Sequence, residues 1–560
     1  MKPQKLHGRA FYESIGSPKY VVAPMVDQSE FAWRMLTRSF LPPELRTSIL
    51  AYSPMFHAKL FADGPKYRTA HFEPLKPPLA IPQPADDEQQ KSFKEEDAYL
   101  DGNPKFDRPL FVQFCANEPD VLLEAAKLVQ PYCDAVDLNL GCPQGIAKRG
   151  HYGAFLQEDW DTIHKLINTL HKGLDIPVTA KMRVLETREK TLEYAKMILN
   201  AGASIITVHG RQREQKGHNT GLADWKTLKY LREQLPPETV MFANGNILQH
   251  GDLQKCLDAT TADAVMTAEG NLYDPAIFSS GPPPGQEGRE YWRGRDGKGG
   301  YRADAVLRRY LDIIHQYVLG QDPPERQPLF LPSDGSDAPV EAEAQAESFP
   351  VEPPQETETP SEDGPPPKKK QKRAGNKKDK TQEKPVKHEK CTNPNMTAMQ
   401  PHCFHILRSL VSTHHEVRDA LARSRAGDID AYENVLTLTE KAVKTGLLDY
   451  EKDPSKYEYP DPAEGEEVAD PELSSTEAVR RCQRPYWIVQ PHVRPLPKEA
   501  IEKGSMQLSK KAKAKLEAEK EEKQKAGVAP EGKVESINVS HVNGRDESTA
   551  EIPKEGVVCG

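Results

Sequence analysis

Cys142 is the residue of this sequence best placed to do chemistry. It lies in Asp137-Leu-Asn-Leu-Gly-Cys-Pro-Gln-Gly-Ile-Ala-Lys-Arg-Gly150, where an apolar run containing only Asp137 and Asn139 as polar members is stopped by Gly141 and Pro143. Such a run reads as a buried strand turning into a loop, with the thiol at the strand's C-terminal end. Active sites of parallel α/β architectures lie at that end. A buried, inert cysteine is the competing reading, so the neighbouring strand ends have to decide between them.

Those ends carry Ala23-Pro-Met-Val26, Gln113, Asn139, Lys181 and Arg183, His209 and Arg211, Asn244-Gly-Asn246 and Ala268-Glu-Gly270. The set is rich in donors and cations close to apolar runs. Lys181, inside Val178-Thr-Ala-Lys-Met-Arg-Val184, is costly to bury unless an anionic or electron-rich partner meets it. The small residues at the seventh and eighth strand ends let a backbone approach a phosphate. Flavin mononucleotide (FMN) matches the inventory: a cation for the N1 and O2 edge, an amide such as Gln113 for the pyrimidine ring and a phosphate at the glycine-containing loops. A Schiff-base lysine of the aldolase type would also explain Lys181.

The elements that position these residues follow from hydrophobic periodicity. Strands are expected at 19–26, 48–55, 109–116, 135–142, 178–184, 205–210, 240–246 and 264–270, with helices at 30–39, 120–129, 160–171, 187–201 and 225–234. Eight strands, most followed by a helix, over about 260 residues predict an α/β fold of the (β/α)8 TIM-barrel type. An open doubly wound sheet would want Gly-x-Gly-x-x-Gly after its first strand, and Ala23-Pro-Met-Val-Asp-Gln-Ser offers none.

Outside the barrel the composition is uneven, with 49 Pro, 28% charged residues and a net charge of -9. Residues 1–18 read as an N-terminal extension, 19–290 as the barrel and 81–107 as a solvated insertion within it. Residues 300–320 and 391–450 read as a helical domain. Its Arg408, His414, His415, Arg418, Arg423 and Arg425 run beside Phe404, Ile406, Leu407 and Leu410, a basic face on an apolar spine. An acidic then basic stretch at 321–390 is expected to be disordered, and its run at 365–380 is either an import signal, a nucleic-acid tether or a solvated charge run. Residues 451–500 read as a C-terminal strap, whose Tyr486 and Trp487 either stack on bases or pack on the barrel. Residues 501–560 read as a charged helix and a disordered tail.

The eight cysteines show neither Cys-x-x-Cys pairs nor regular spacing, and His402, Cys403 and His405 alone make a weak ligand set, so no metal site is expected. Cysteine usage, a polar N-terminus, no membrane-length apolar run and a C-terminus unsuited to prenylation fit a soluble protein of the cytoplasm or nucleus.

Pro24-Met-Val26, Val112-Gln113, Asp137 to Pro143, Thr179-Ala-Lys181, Val208-His-Gly-Arg211 and Ala243-Asn-Gly-Asn246, taken in order, resemble the tRNA-dihydrouridine synthases. Lys148-Arg-Gly-His-Tyr-Gly-Ala154 is most similar to their eukaryotic branch acting on positions 16 and 17 of the D-loop. The resemblance implies FMN lined by Pro24, Met25 and Val26, with its ring bonded by Gln113, its N1 and O2 edge met by Lys181, and its phosphate held by His209, Asn244, Gly245 and Asn246. Many members have Gly-Arg where Ala268 and Glu269 align, and a carboxylate cannot pair with phosphate as Arg does, so Arg211 is the substitute cation. The resemblance further implies tRNA as substrate, NADPH as reductant and a monomeric enzyme, with Asn139, Lys148, Arg149 and Arg211 toward the RNA. Conjugation of the uracil C5–C6 bond with the C4 carbonyl directs hydride to C6 and a proton to C5. Cys142, as a thiol of ordinary pKa about 8.5, is the proton donor. The alternatives are a flavin barrel reducing a free pyrimidine or quinone, a non-catalytic RNA-binding scaffold, and a Schiff-base lyase.

Overall fold

Eight parallel strands close on themselves in the computed structural model, which describes residues 5–81, 94–335, 391–459 and 474–502. They are β1 Tyr20–Val22, β2 Ile49–Tyr52, β3 Leu110–Cys115, β4 Ala135–Leu140, β5 Val178–Arg183, β6 Ile205–His209, β7 Val240–Asn244 and β8 Ala264–Thr267. Each pairs with the next, β3 bonds directly to β2, and β8 returns to β1 through Val21↔Met266. The strands are buried on both faces, as a barrel ringed by helices requires. This is the (β/α)8 barrel that the periodicity predicts. Every strand ends earlier than expected, and β1 to β3 also begin one residue later, because the flanking residues turn into loops.

Helix Phe31–Ser39 follows β1, Pro119–Val129 follows β3, Trp160–Gly173 follows β4 and Arg188–Asn200 follows β5; Trp225–Gln234 follows β6. Helices that escape the sequence reading include Ala58–Asp63 after β2 and His250–Thr260 after β7. The latter has no strong apolar stripe and begins instead at a polar cap, Gln249 and Asp252 bonding each other's backbone N–H groups. Helix Gly8–Ser14, in the expected N-terminal extension, buries Phe11 and Tyr12 against Phe111 and Phe242 at the opposite end of the barrel from Cys142.

The stretch expected as a solvated insertion differs in its C-terminal part. Asp101 and Asp107 are buried, and Arg34 bonds both while Arg38 bonds Asp107. The charges that suggested solvent are paired with the helix Phe31–Ser39. Likewise residues 321–335, the first part of the stretch expected to be disordered, are packed: Arg326 pairs with Asp312 and Glu433, Leu329 is buried, and Arg289 pairs with Asp334. Residues 82–93, the basic run at 365–380 with the rest of 336–390, residues 460–473 of the expected strap, and the stretch beyond 502 expected as a charged helix and tail lie outside the described residues.

The helical block is continuous with the barrel. Helices Ala303–Ile313, Met399–Ile406, His415–Arg423 and Ile429–Lys452 share one apolar core with the strands. At the seam Ala32 N–H donates to Asn395 Oδ1, and His402 stacks on Trp33 at 4.0 Å. His402 therefore meets Glu30 through Nε2, and His405 meets the Pro401 carbonyl through Nδ1. Along the strap, Trp487 is fully buried among Trp292, Tyr450 and Tyr457, and Val489 N–H donates to the Tyr301 carbonyl. Its aromatics pack, but on Trp292 and the helical block rather than on the barrel as expected.

Candidate functional site

The two-residue period of β-strands aims alternate side chains into the barrel. On β4 these are Asp137 and Asn139; on β5 they are Thr179, Lys181 and Arg183. Register sets Gln113 beside Asp137 and Asp137 beside Thr179, Asn139 beside Lys181, and Arg183 beside His209, which faces Asn244. The result is a ladder of polar side chains climbing toward the C-terminal mouth.

Its lower rungs are bonded to one another. Asp137 accepts from Thr179 Oγ1 at 2.6 Å and from Gln113 Nε2 at 2.8 Å. Burial pushes the Asp137 carboxyl up to about 6, against those two hydrogen bonds and the charge of Lys181. Gln113 Oε1 accepts from Asn139 Nδ2 at 2.8 Å, so the Gln113 amide keeps one N–H and one lone pair beyond these bonds. Asn139 Oδ1 then accepts the backbone N–H groups of Gly141 and Cys142.

This ladder ends on the peptide that carries the thiol. Arg183 Nε donates to the Gly141 carbonyl at 2.7 Å, and the Ala154 N–H donates to the Cys142 carbonyl at 3.1 Å. Gly153 makes that return possible: its φ is +64°, and a Cβ there would lie 2.8 Å from the Cys142 carbonyl oxygen. Cys142 is only 1% exposed, packed with Cys115, Ala147 and Tyr152 under the helix Gly145–Gly150. The loop thus folds back over the thiol. Lys148 and Arg149 project from that helix into solvent.

Arg183, His209 and Asn244 line a cavity of about 550 Å³, and Lys181 is not among its lining residues. Lys181 Nζ donates to Asn244 Oδ1 at 3.1 Å, and Arg211 bonds the Gly221 carbonyl, Asn246 Oδ1 and His209 Nε2. Burial, reinforced by the charges of Arg183, Arg211 and Lys181, holds the His209 imidazole well below its ordinary range. A guanidinium cannot accept, so the neutral ring accepts at Nε2 and carries its proton on Nδ1. That Nδ1 is buried with no hydrogen-bond partner among the described residues. Arg211 is pushed down to about 10, by burial first and then by Arg183, and remains a cation at neutral pH. Gly245, at φ +118°, lies against the His209 ring, and a Cβ there would meet Ala223 at 2.6 Å.

His209, Arg211, Asn244, Gly245, Asn246, Ala268 and Glu269 line this cavity together, as do Pro143 and Gln144 from the Cys142 loop. Pro24, Met25 and Gln113 are buried below it, and Val26 is half-buried. Three contributors lacked a sequence assignment. Arg183 had its strand position as a signal, Lys216 bonds the Pro143 carbonyl from the loop after β6, and Arg494 pairs with Glu269 from the strap. The residues fit an electron-rich heterocycle with an anionic tail: the Gly245 approach and the cations supply what such a ligand needs.

Residues 21–289 match the model of the family described as Dihydrouridine synthase (Dus). The chain is 52% identical over 313 residues to the tRNA-dihydrouridine(16/17) synthase (NAD(P)(+)) of Saccharomyces cerevisiae, covering 56% of this chain and 64% of that protein. It is 48% identical over 322 residues to the protein of the same name from Schizosaccharomyces pombe, covering 58% and 70%. It is 42% identical over 314 residues to a Mus musculus protein named as synthase-like, covering 56% and 55%. The chain thus spans less than two thirds of the budding-yeast and mouse proteins it matches.

Proposed function

The chain belongs to the dihydrouridine synthase family, and from that premise we propose that it reduces uridine to 5,6-dihydrouridine at positions 16 and 17 of the tRNA D-loop, with FMN as cofactor and NADPH as reductant. The observation that carries the reading is the cavity at the strand ends, lined by Arg183, Arg211, Lys216 and Arg494 and reached by Pro143 and Gln144 of the Cys142 loop. The cations that line this cavity favour an anionic ligand. The relatives named for positions 16 and 17 support the choice of uridines.

In this reading Lys181 and Gln113 hold the flavin ring, Pro24, Met25 and Val26 line it, and His209, Arg211, Asn244, Gly245 and Asn246 hold its phosphate. When bound, FMN supplies the hydride that conjugation directs to C6 of uracil. Cys142 gives its thiol proton to C5 as negative charge develops there. Because the thiol is 1% exposed, the Gly145–Gly150 segment shifts aside to let a base in, and the base leaves its stack to enter. Lys148 and Arg149 on that segment, with Arg408, Arg418 and Arg423 on the helical block, lie exposed where they can neutralise RNA phosphates. The protein acts as a monomer in the cytoplasm or nucleus; among the described residues no helix is long and apolar enough to cross a membrane.

The test is to purify the full chain, record its visible spectrum and map dihydrouridine in tRNA from cells lacking the protein, with and without this chain restored. A yellow protein that restores dihydrouridine at 16 and 17 is the expected result. A colourless protein that restores none would return the chain to the scaffold reading.

A further inference from the structure

We propose that Arg494, carried by the C-terminal strap, is a ligand of the cofactor phosphate and that Glu269 is the anchor that holds it at the cavity; this rests on the flavin reading above. Four cationic side chains, Arg183, Arg211, Lys216 and Arg494, line the cavity against one carboxylate, Glu269. That carboxylate stands at the C-terminal end of β8, where alone it would repel an anionic ligand. It is not alone. Arg494 Nε lies 2.8 and 3.1 Å from its two oxygens and Nη2 lies 2.6 Å from Oε1.

The pair joins residues 225 positions apart, and the strap is built to deliver it. On one side of Arg494, Trp487 is buried in its aromatic surround and Ile488 bridges Arg302. Arg481 bonds Asp252 beneath the same surface, and the His492 ring packs on Tyr273, four residues beyond Glu269. Arg494 therefore arrives on fixed backbone, with half of its side chain exposed at the cavity wall. A phosphate monoester carries close to two negative charges at neutral pH. Arg211, the buried cation, already holds Gly221, Asn246 and His209. A second guanidinium beside it supplies the remaining charge, and Glu269 keeps two such cations from repelling each other while the ligand is away.

The phosphate is the group to vary in the test. Full-length protein stripped of flavin is titrated with FMN and with riboflavin, which lacks the phosphate, by quenching of flavin fluorescence. Arg494→Ala is expected to weaken FMN binding about tenfold or more while leaving riboflavin binding unchanged, since a charge-assisted hydrogen bond to phosphate is lost. Arg494→Lys, which keeps the charge and loses the fork, falls between. Glu269→Gln, which can still accept from Arg494, keeps or sharpens the preference for FMN. Equal loss of both flavins in Arg494→Ala, or no loss of either, overturns the assignment, because strap packing would not distinguish the two ligands. Wild-type protein that binds neither flavin overturns this inference and the flavin reading together; wild type that prefers FMN beside an Arg494→Ala variant with the same preference overturns the Arg494 assignment alone.

Discussion

Arg183 on β5 donates from Nε to the carbonyl oxygen of Gly141 at 2.7 Å, so the peptide immediately before Cys142 is held by a neighbouring strand as well as by Asn139 on its own. The expected consequence concerns kcat more than binding. Arg183→Lys keeps a cation by the cavity but cannot reproduce the fork that also reaches the Gln212 carbonyl. Displacement of the Cys142 backbone by about 1 Å should lower kcat roughly 10–100-fold, with flavin content and KM for tRNA close to wild type. Single-turnover assays alongside flavin quantitation check this; flavin loss in step with activity would place Arg183 in cofactor retention instead.

Cys142 and Lys181 should separate the proton from the cofactor. Cys142→Ala leaves the ladder from Asp137 to Asn139 intact, so the protein should purify yellow while turnover falls by about 10²-fold or more. Lys181→Ala removes the cation bonded to Asn244 and should purify pale. Visible spectra and dihydrouridine mapping read both. Full activity in Cys142→Ala would remove the thiol from the mechanism.

Asp137 gives a pH signature of known sign. Its carboxyl titrates at about 6 in the native protein against an ordinary 3.8, chiefly because it is buried. Between those values the native state binds more protons than the unfolded chain. The group's contribution is therefore full below about pH 4, is lost as pH rises through about 6, and is constant above, a span of about 3 kcal/mol. Asp137→Asn has no such span, so its stability relative to wild type should improve on going from pH 4 to pH 7. Urea midpoints at pH 4, 5, 6 and 7 measure the difference; a constant offset across that range would contradict it.

The parts of the site legible in the sequence share one property: strand period. Lys181, His209 and Asn244 sit at inward positions of strands whose apolar runs are unbroken, so alternation alone brought them together. Contacts between distant segments were not legible. Glu269 looked like a misplaced carboxylate until Arg494 reached it from the strap. Asp101 and Asp107 looked solvated because nothing local marks Arg34 and Arg38, a helix away, as their partners. The cover over Cys142 depends on Gly153 at positive φ, and a glycine in a loop does not announce what it approaches.

The seam between barrel and helical block should be equally testable. His402 Nε2 lies 3.0 Å from Glu30 Oε2, both side chains are buried, and the His402 ring also stacks on Trp33. His402→Ala removes the partner of a buried carboxyl group and the face of the indole at once, at a cost of about 3 kcal/mol. Glu30→Gln, which retains a hydrogen-bonding group, should cost less. Since the apolar core runs without a break from the strands into helix Ile429–Lys452, unfolding should remain a single transition in both variants. Tryptophan fluorescence and far-ultraviolet circular dichroism should then lose signal at the same urea concentration, lowered but coincident. Two separated transitions in His402→Ala would mean that the helical block is held to the barrel chiefly through this one contact.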